Sequence, residues 1–149
     1  MSDTQTTTIP AIELRRTYDA PRERVFAAWT QPAIAQRFLG PGDVKAIDVQ
    51  MDVRVGGSYQ ITMLSPEMGE MIVSGIYREV RAPERLVMTW RWHEDDPADE
   101  HESLLTLEFH DRSGKTELVL RHDQFAALAS RNNHEGGWTR ILDRLSSVL

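Results

Sequence analysis

The chain ends in the segment NHEGGWTRILDRLSSVL, residues 133–149. Its apolar residues recur every three or four positions, as they do along one face of an α-helix: Trp138, Ile141, Leu142, Leu145, Val148 and Leu149. Glycine costs a helix about 1 kcal/mol relative to alanine. The pair Gly136-Gly137 in the first turns therefore needs a reason, such as close approach to another backbone or to something held beneath Trp138. The segment predicts a long amphipathic helix around which the chain is organised.

Upstream of this helix, alternation of apolar and polar residues predicts strands. The heaviest apolar row lies on the fifth strand, where Leu86, Met88, Trp90 and Trp92 share a face. The predicted strands are Ile9 to Tyr18, Val44 to Val53, Ser58 to Leu64, Glu70 to Val80, Arg85 to His93, Ser103 to His110 and Thr116 to Asp123. Strands joined by short turns pair antiparallel.

Two short helices are predicted after the first strand. One begins at Pro21, because proline suits a first helical position, and the other runs from Pro32 to Phe38. Gln124 to Asn132 is predicted as a connector with one helical turn. A one-faced antiparallel sheet must bury its apolar side, and the last helix is the only long amphipathic element. We therefore predict an α+β fold, a curved antiparallel sheet of about seven strands around a long C-terminal helix.

Composition limits the function classes. The chain has 149 residues, a formal net charge of −6 and no cysteine. An acidic balance argues against non-specific nucleic-acid binding, and the lack of cysteine excludes disulfides and thiolate chemistry. We expect a flexible tail over residues 1–8, one domain over residues 9–149, no membrane span and a cytoplasmic location, because the first residues lack an apolar signal segment.

Several short motifs together resemble the START-like superfamily, also called SRPBCC. Within it, the chain resembles the family named after the C-terminal domain of the activator of the heat-shock-protein-90 ATPase. The matching residues are Ala20-Pro21, Val25-Phe26, Trp29-Thr30, residues 52–57 (DVRVGG), residues 75–80 (GIYREV), residues 83–90 (PERLVMTW), Thr116-Glu117-Leu118 and Gly137-Trp138, with Leu142 and Leu145 behind them. Relatives usually carry tryptophan where this chain has Phe38.

The resemblance implies a helix-grip fold, in which the sheet grips the C-terminal helix and often leaves an apolar cavity beside it. Aromatic and methionine side chains suit a cavity wall, although a filled core uses the same residues. The residues predicted to contact a ligand are Trp29, Phe38, Tyr59, Ile61, Met63, Met88, Trp90, Trp92, Leu118, Leu120, His122, Phe125, Trp138, Ile141 and Leu142.

The alternation that turns Leu118 and Leu120 inward also places His122 on the inner face. Histidine there could anchor a ligand or exchange a proton. No partner acid or nucleophile can be placed beside it from sequence, so we expect a half-exposed histidine bonded to the following connector.

The segment from His93 to Glu102 holds six carboxylates and two histidines. Its spacing matches neither a calcium-binding loop nor a helical zinc motif, so we predict a solvated hairpin tip and no metal site or cofactor. The sequence leaves open whether this acidic loop gates a cavity.

Three functions remain open. The first is a non-enzymatic protein that binds a small apolar or amphipathic molecule between sheet and helix, as a monomer or a homodimer. The second, implied by the resemblance, is a chaperone-associated interaction module in stress response. The third is an enzyme similar to polyketide cyclases or dehydrases, for which His122, Glu79 and Tyr77 are the candidate acids or bases.

Overall fold

The computed structural model describes residues 8–149, so the predicted tail lies outside the described residues apart from Thr8. The strands are β1 (Ile12–Tyr18), β2 (Lys45–Met51), β3 (Ser58–Ser65), β4 (Gly69–Arg81), β5 (Arg85–Trp92), β6 (Glu102–Arg112) and β7 (Lys115–Asp123). The helices are α1 (Arg22–Thr30), α2 (Pro32–Ala35) and α3 (Leu128–Leu145), with single 3-10 turns over Pro97–Asp99 and Ser146–Val148. Each predicted strand is present, with ends shifted by up to three residues at β1.

All seven strands form one antiparallel sheet in the order β1-β7-β6-β5-β4-β3-β2. The sheet curves around α3, and α1 and α2 lie in the connection between the two edge strands. This is the predicted helix-grip architecture, which is confirmed. No helix within residues 8–149 is long and apolar enough to cross a membrane.

The predicted apolar face of the last helix is confirmed. Trp138, Ile141, Leu142 and Leu145 are buried against the sheet, and the hydroxyl of Tyr18 donates to the Leu142 carbonyl oxygen over 2.7 Å. Burial of this apolar face stabilises the packing of α3 on the sheet by about 25 cal/mol per Å² of apolar surface removed from water.

The predicted start of the last helix is wrong. The helix begins at Leu128, five residues before Asn133, and absorbs the predicted helical turn of the connector. Its first turns give no periodic apolar signal because they bury little, and the Leu128 side chain is 54% exposed. The Arg131 guanidinium instead donates to the carbonyl oxygens of Pro10 and Ala11 ahead of β1, both at 3.3 Å.

The glycine pair therefore lies inside α3 and does not belong to its first turns. A Cβ atom added to Gly136 would meet no atom within 4 Å, so close approach does not explain this glycine. A Cβ atom on Gly137 would lie 3.7 Å from Pro41, an ordinary contact. The second glycine thus faces the loop between α2 and β2, and the first faces open space.

Near Gly75, where β4 lies next to β5, side chains form hydrogen bonds with the backbone of the sheet. The Tyr59 hydroxyl reaches across Gly75 and donates to the Thr89 carbonyl oxygen. The Ile76 N–H donates to the Thr89 hydroxyl oxygen over 2.8 Å. A Cβ atom at Gly75 would lie 1.9 Å from the Thr89 carbonyl oxygen and 2.6 Å from the Tyr59 ring, so only glycine fits this close crossing.

Candidate functional site

The interior enclosed by the sheet, α1 and the segment after α2 is almost filled by side chains. It keeps a central void of about 10 Å³, close to the volume of a single water-sized probe. This void is bordered by Trp29, Leu39, Met51, Tyr59, Ile61, Tyr77, Met88, Trp90 and Leu105.

A larger apolar space, here called the side cavity, lies between α3 and strands β3 to β5 and has a volume of about 210 Å³. It is lined by Pro41, Met63, Met71, Trp90, Trp92, Asn133, His134, Gly137, Trp138 and Ile141. Arg144 fixes the loop that supplies Pro41, because its guanidinium donates to the carbonyl oxygens of Gly40 (2.7 Å) and Gly42 (2.6 Å). α3 therefore contributes both the floor of the side cavity and the residue that holds its rim.

A second space of about 190 Å³, here called the loop cavity, lies under the acidic segment between β5 and β6. It is lined by Trp90, Trp92, Glu94, Asp99, His101, Ser103, Phe125, Ala126, Ser130 and His134. Trp90, Trp92 and His134 border both cavities. The side cavity and the loop cavity are therefore neighbours with a common wall.

A depression of about 530 Å³ belongs to the outer face of the sheet. Most of its lining residues are polar, such as Gln60, Ser74 and Arg91, which alternate with buried residues along the strands. An apolar ligand fits the two smaller cavities better, because ligand pockets are mostly apolar with few polar groups.

The residues predicted to contact a ligand are distributed over these spaces. The side cavity is bordered by Met63, Trp90, Trp92, Trp138 and Ile141, and the loop cavity by Trp90, Trp92 and Phe125. Trp29, Tyr59, Ile61, Met88 and Trp90 border the central void. Phe38, Leu118, Leu120, His122 and Leu142 border none of the three and are buried in the core. Ligand contact by any of these residues stays a prediction.

Sequence reasoning missed His134, Met71 and Pro41 as cavity residues. A signal existed for His134, which precedes Trp138 by four residues and so shares its helix face. Met71 lies two positions before the buried Val73 on β4 and therefore shares its face. The same period-two rule that identified β5 could have found it. Pro41 lies in a loop, where no periodic pattern applies.

His122 is fully buried, so the expectation of a half-exposed histidine is wrong. The indole N–H of Trp138 donates to Nδ1 over 2.9 Å, which fixes Nδ1 as an acceptor because an indole can only donate. Nε2 therefore carries the proton and donates to the Ser103 hydroxyl at 2.7 Å. That hydroxyl donates to the Trp90 carbonyl oxygen at 3.1 Å. Every polar atom of the imidazole is satisfied in its neutral form.

Burial, with a smaller effect from nearby His134, lowers the pKa of His122 to about 2. Desolvation penalises the charged imidazolium, and the Trp138 N–H would face a second N–H if Nδ1 were protonated. The side chain is therefore a structural hydrogen-bond relay between α3, β6 and β7 at neutral pH.

A second tryptophan–histidine pair lies on the common wall of the two cavities. The Trp92 indole N–H donates to Nε2 of His134 over 2.9 Å, and Nδ1 of His134 donates to the Ser130 carbonyl oxygen over 2.7 Å. Burial lowers the pKa of His134, opposed by the Ser130 bond. The imidazole centroids of His122 and His134 are 5.2 Å apart, so both pairs belong to one aromatic cluster.

Two buried donors have no acceptor in the part of the chain that the structure describes. They are the indole N–H groups of Trp29 and Trp90. Leaving a buried donor without a partner costs about 1–3 kcal/mol. Both side chains border the central void, and Trp90 also borders the two cavities.

The candidate acids and bases are not arranged as a catalytic set. Glu79 is in ion pairs with Arg81 (3.5 Å) and Arg85 (3.1 Å) and borders neither cavity. Burial raises the pKa of Tyr77, which borders the central void. Within residues 8–149, no group of three or more acidic or histidine side chains is placed to hold a metal ion.

Comparison with known proteins gives one family. The sequence matches the family described as "Activator of Hsp90 ATPase homolog 1-like protein" over residues 19–149. None of the curated proteins matches the chain.

Solved structures share the fold over almost the whole chain. Protein CV1439 from Chromobacterium violaceum is 26% identical, with 93% of this chain and 95% of that chain covered and a TM-score of 0.81. The AHSA1 protein SPO3351 from Silicibacter pomeroyi is also 26% identical, with coverage of 93% and 96% and a TM-score of 0.78. A protein from Arthrobacter aurescens, at 18% identity, coverage of 98% and 88% and a TM-score of 0.83, shows similarity of fold alone.

Proposed function

The chain belongs to the Activator of Hsp90 ATPase homolog 1-like family, and on that premise we propose that it is a non-catalytic START-like protein that binds a small apolar or amphipathic molecule in the side cavity. The observation that carries this proposal is the wall of that cavity. Met63, Met71 and the rings of Trp90, Trp92 and Trp138 turn apolar surface towards a space of about 210 Å³. Methionine and aromatic side chains adapt to apolar ligands of varied shape.

The size of the side cavity restricts the ligand. Pockets for drug-sized molecules span about 300–1,000 Å³, so the side cavity alone fits a smaller body such as a two-ring hydrocarbon. The near absence of space in the central void supports binding in the side cavity, between the sheet and α3.

Naphthalene is a suitable probe, and adjacent glycines provide a matched pair of variants. Gly137→Leu places a side chain against Pro41 in the side cavity, and Gly136→Leu places the same side chain in open space. We expect naphthalene to shift the indole N–H signals of Trp92 and Trp138 in NMR spectra of the natural chain. Gly137→Leu should weaken binding at least about tenfold, since a filled cavity excludes the ring, and Gly136→Leu should leave it unchanged.

Equal naphthalene affinity in both folded variants would contradict the side cavity as the site. The family match also supports a second candidate, association with Hsp90. It predicts that the protein changes the ATPase rate of an Hsp90 chaperone, and an unchanged rate at saturating protein would remove it.

A further inference from the structure

The side cavity and the loop cavity have a common wall. It consists of Trp90 and the hydrogen-bonded pair of Trp92 and His134. Each cavity alone is smaller than the usual range for ligand pockets, whereas the two together fall within it. A molecule longer than one cavity would therefore extend past the Trp92–His134 pair into the other.

The loop cavity has the chemistry of a cation site. Glu94 and Asp99 border it, and within residues 8–149 neither has a lysine, arginine or histidine nitrogen within 4.0 Å. Arg91, the nearest arginine along the chain to Glu94, instead lies 3.7 Å from Glu100 and 3.9 Å from Glu102. No lysine or arginine is among the residues that line the cavity in the described part of the chain.

Aromatic rings form another part of its wall, beside His101, Ser103, Ala126 and Ser130. Trp90, Trp92 and Phe125 border the loop cavity, and indole and phenyl faces attract cations. His134 does not oppose a cation, since its Nε2 accepts from Trp92 and the ring is neutral. Carboxylates with aromatic faces favour an ammonium group and disfavour an anion.

We propose that the two cavities are one site for an amphipathic amine, whose apolar body lies in the side cavity and whose ammonium group lies in the loop cavity beside Glu94 and Asp99. This inference rests on the proposed ligand-binding function and names its ligand class. The Trp92–His134 pair lies where the two parts of the ligand join, so binding changes the environment of the Trp92 indole.

Three probes with one ring system test the proposal: naphthalene, 1-naphthylmethylamine and 1-naphthylacetate. All offer the same apolar body, but the second carries an ammonium and the third a carboxylate at neutral pH. We expect the amine to bind about tenfold more tightly than naphthalene and the carboxylate to bind more weakly than naphthalene. The preference for the amine should decrease with salt, because ions screen partly exposed charges.

Paired variants in one loop locate the charge. Glu94→Gln with Asp99→Asn should remove the preference for the amine and leave naphthalene affinity unchanged. Asp95→Asn with Asp96→Asn makes the same change in charge on residues that do not line the cavity and should keep most of the preference. Both pairs preserve side-chain size and hydrogen bonding, and a thermal melt confirms folding.

The outcomes separate this inference from the function on which it rests. Failure of all three probes to bind would overturn both. Binding of naphthalene without preference for the amine would overturn the inference and leave the apolar site intact. An equal loss of preference in both paired variants would also overturn it, because a general effect of net charge would then account for the preference.

Discussion

The indole N–H of Trp138 on α3 donates to the imidazole Nδ1 of His122 on β7 over 2.9 Å. Both residues are fully buried, so neither atom can exchange this bond for one with solvent. The bond fixes the tautomer of His122 and ties the helix to the sheet at the centre of the fold.

Removing His122 should destabilise the protein strongly. His122→Leu keeps side-chain bulk but leaves the Trp138 N–H without its acceptor, so we expect a loss of about 2–4 kcal/mol in the free energy of unfolding, measured in urea. In a double-mutant cycle with Trp138→Phe, the coupling energy should be about 1–2 kcal/mol. The pair His122→Leu and Trp92→Phe is the control, since Trp92 bonds to His134, and its coupling should be smaller. If the stability losses of His122→Leu and Trp138→Phe were strictly additive, this would contradict a stabilising hydrogen bond between the two side chains.

Acid should unfold the protein through its buried histidines. His122 has a pKa of about 2 in the folded state and 6.5 as an ordinary side chain, so the unfolded chain binds the proton first. The contribution of His122 to the free energy of unfolding is fully present above pH 6.5. As the pH falls below 6.5, this contribution decreases by about 1.4 kcal/mol per pH unit. His134 acts in the same direction, since its folded pKa is also lowered.

The measurement compares urea unfolding of the natural chain and His122→Leu at pH 7, 6 and 5. The natural chain should lose stability faster, because the variant lacks one of the two buried imidazoles. Parallel losses would mean that His122 does not stay neutral in the folded state.

Gly75→Ala should be among the most damaging single-atom additions. The new methyl group would meet the Thr89 carbonyl oxygen and the Tyr59 ring, so the strand backbone must shift and the tyrosine must move as well. We expect a loss of about 1–3 kcal/mol by thermal or urea unfolding. If combining Tyr59→Phe with Gly75→Ala recovered most of that loss, the cost would come from the contact with the tyrosine hydroxyl. An undiminished stability of Gly75→Ala would contradict the close approach of Gly75 to Thr89 and Tyr59.

Gly136→Ala should increase the stability of the protein, in contrast to Gly75→Ala. This glycine lies in the interior of α3 with no atom within 4 Å of an added Cβ, so alanine gains helix propensity without a clash. We expect stabilisation by up to about 1 kcal/mol. A destabilised variant would indicate a contact at Gly136 that the monomer lacks.

Periodicity predicted those parts of the fold where one face of an element is buried. It found the inner face of α3 from Trp138 to Leu145 and the alternation along β5, because burial imposes its period on the sequence there. It missed the first turns of α3, from Leu128 on, because these residues bury too little to show a period.

The candidate site was less accessible to sequence reasoning. The tryptophan–histidine pairs join residues 16 positions apart (His122 and Trp138) and 42 positions apart (Trp92 and His134). Such contacts depend on how the helix lies on the sheet, which no local pattern encodes. The division of the interior into a filled core and two lateral cavities depends on side-chain volumes and rotamers in the same way.

The packing of Trp90 on Trp138 also determines an optical property of the protein. Their ring centroids are 5.0 Å apart and their planes are tilted by 55°, inside a core that holds both rings in place. Two indole transitions at this distance and tilt couple, and a rigid tertiary environment makes the coupling visible as near-ultraviolet circular dichroism. Because both rings border the side cavity, the molecule carries its own label-free optical reporter of whatever enters there.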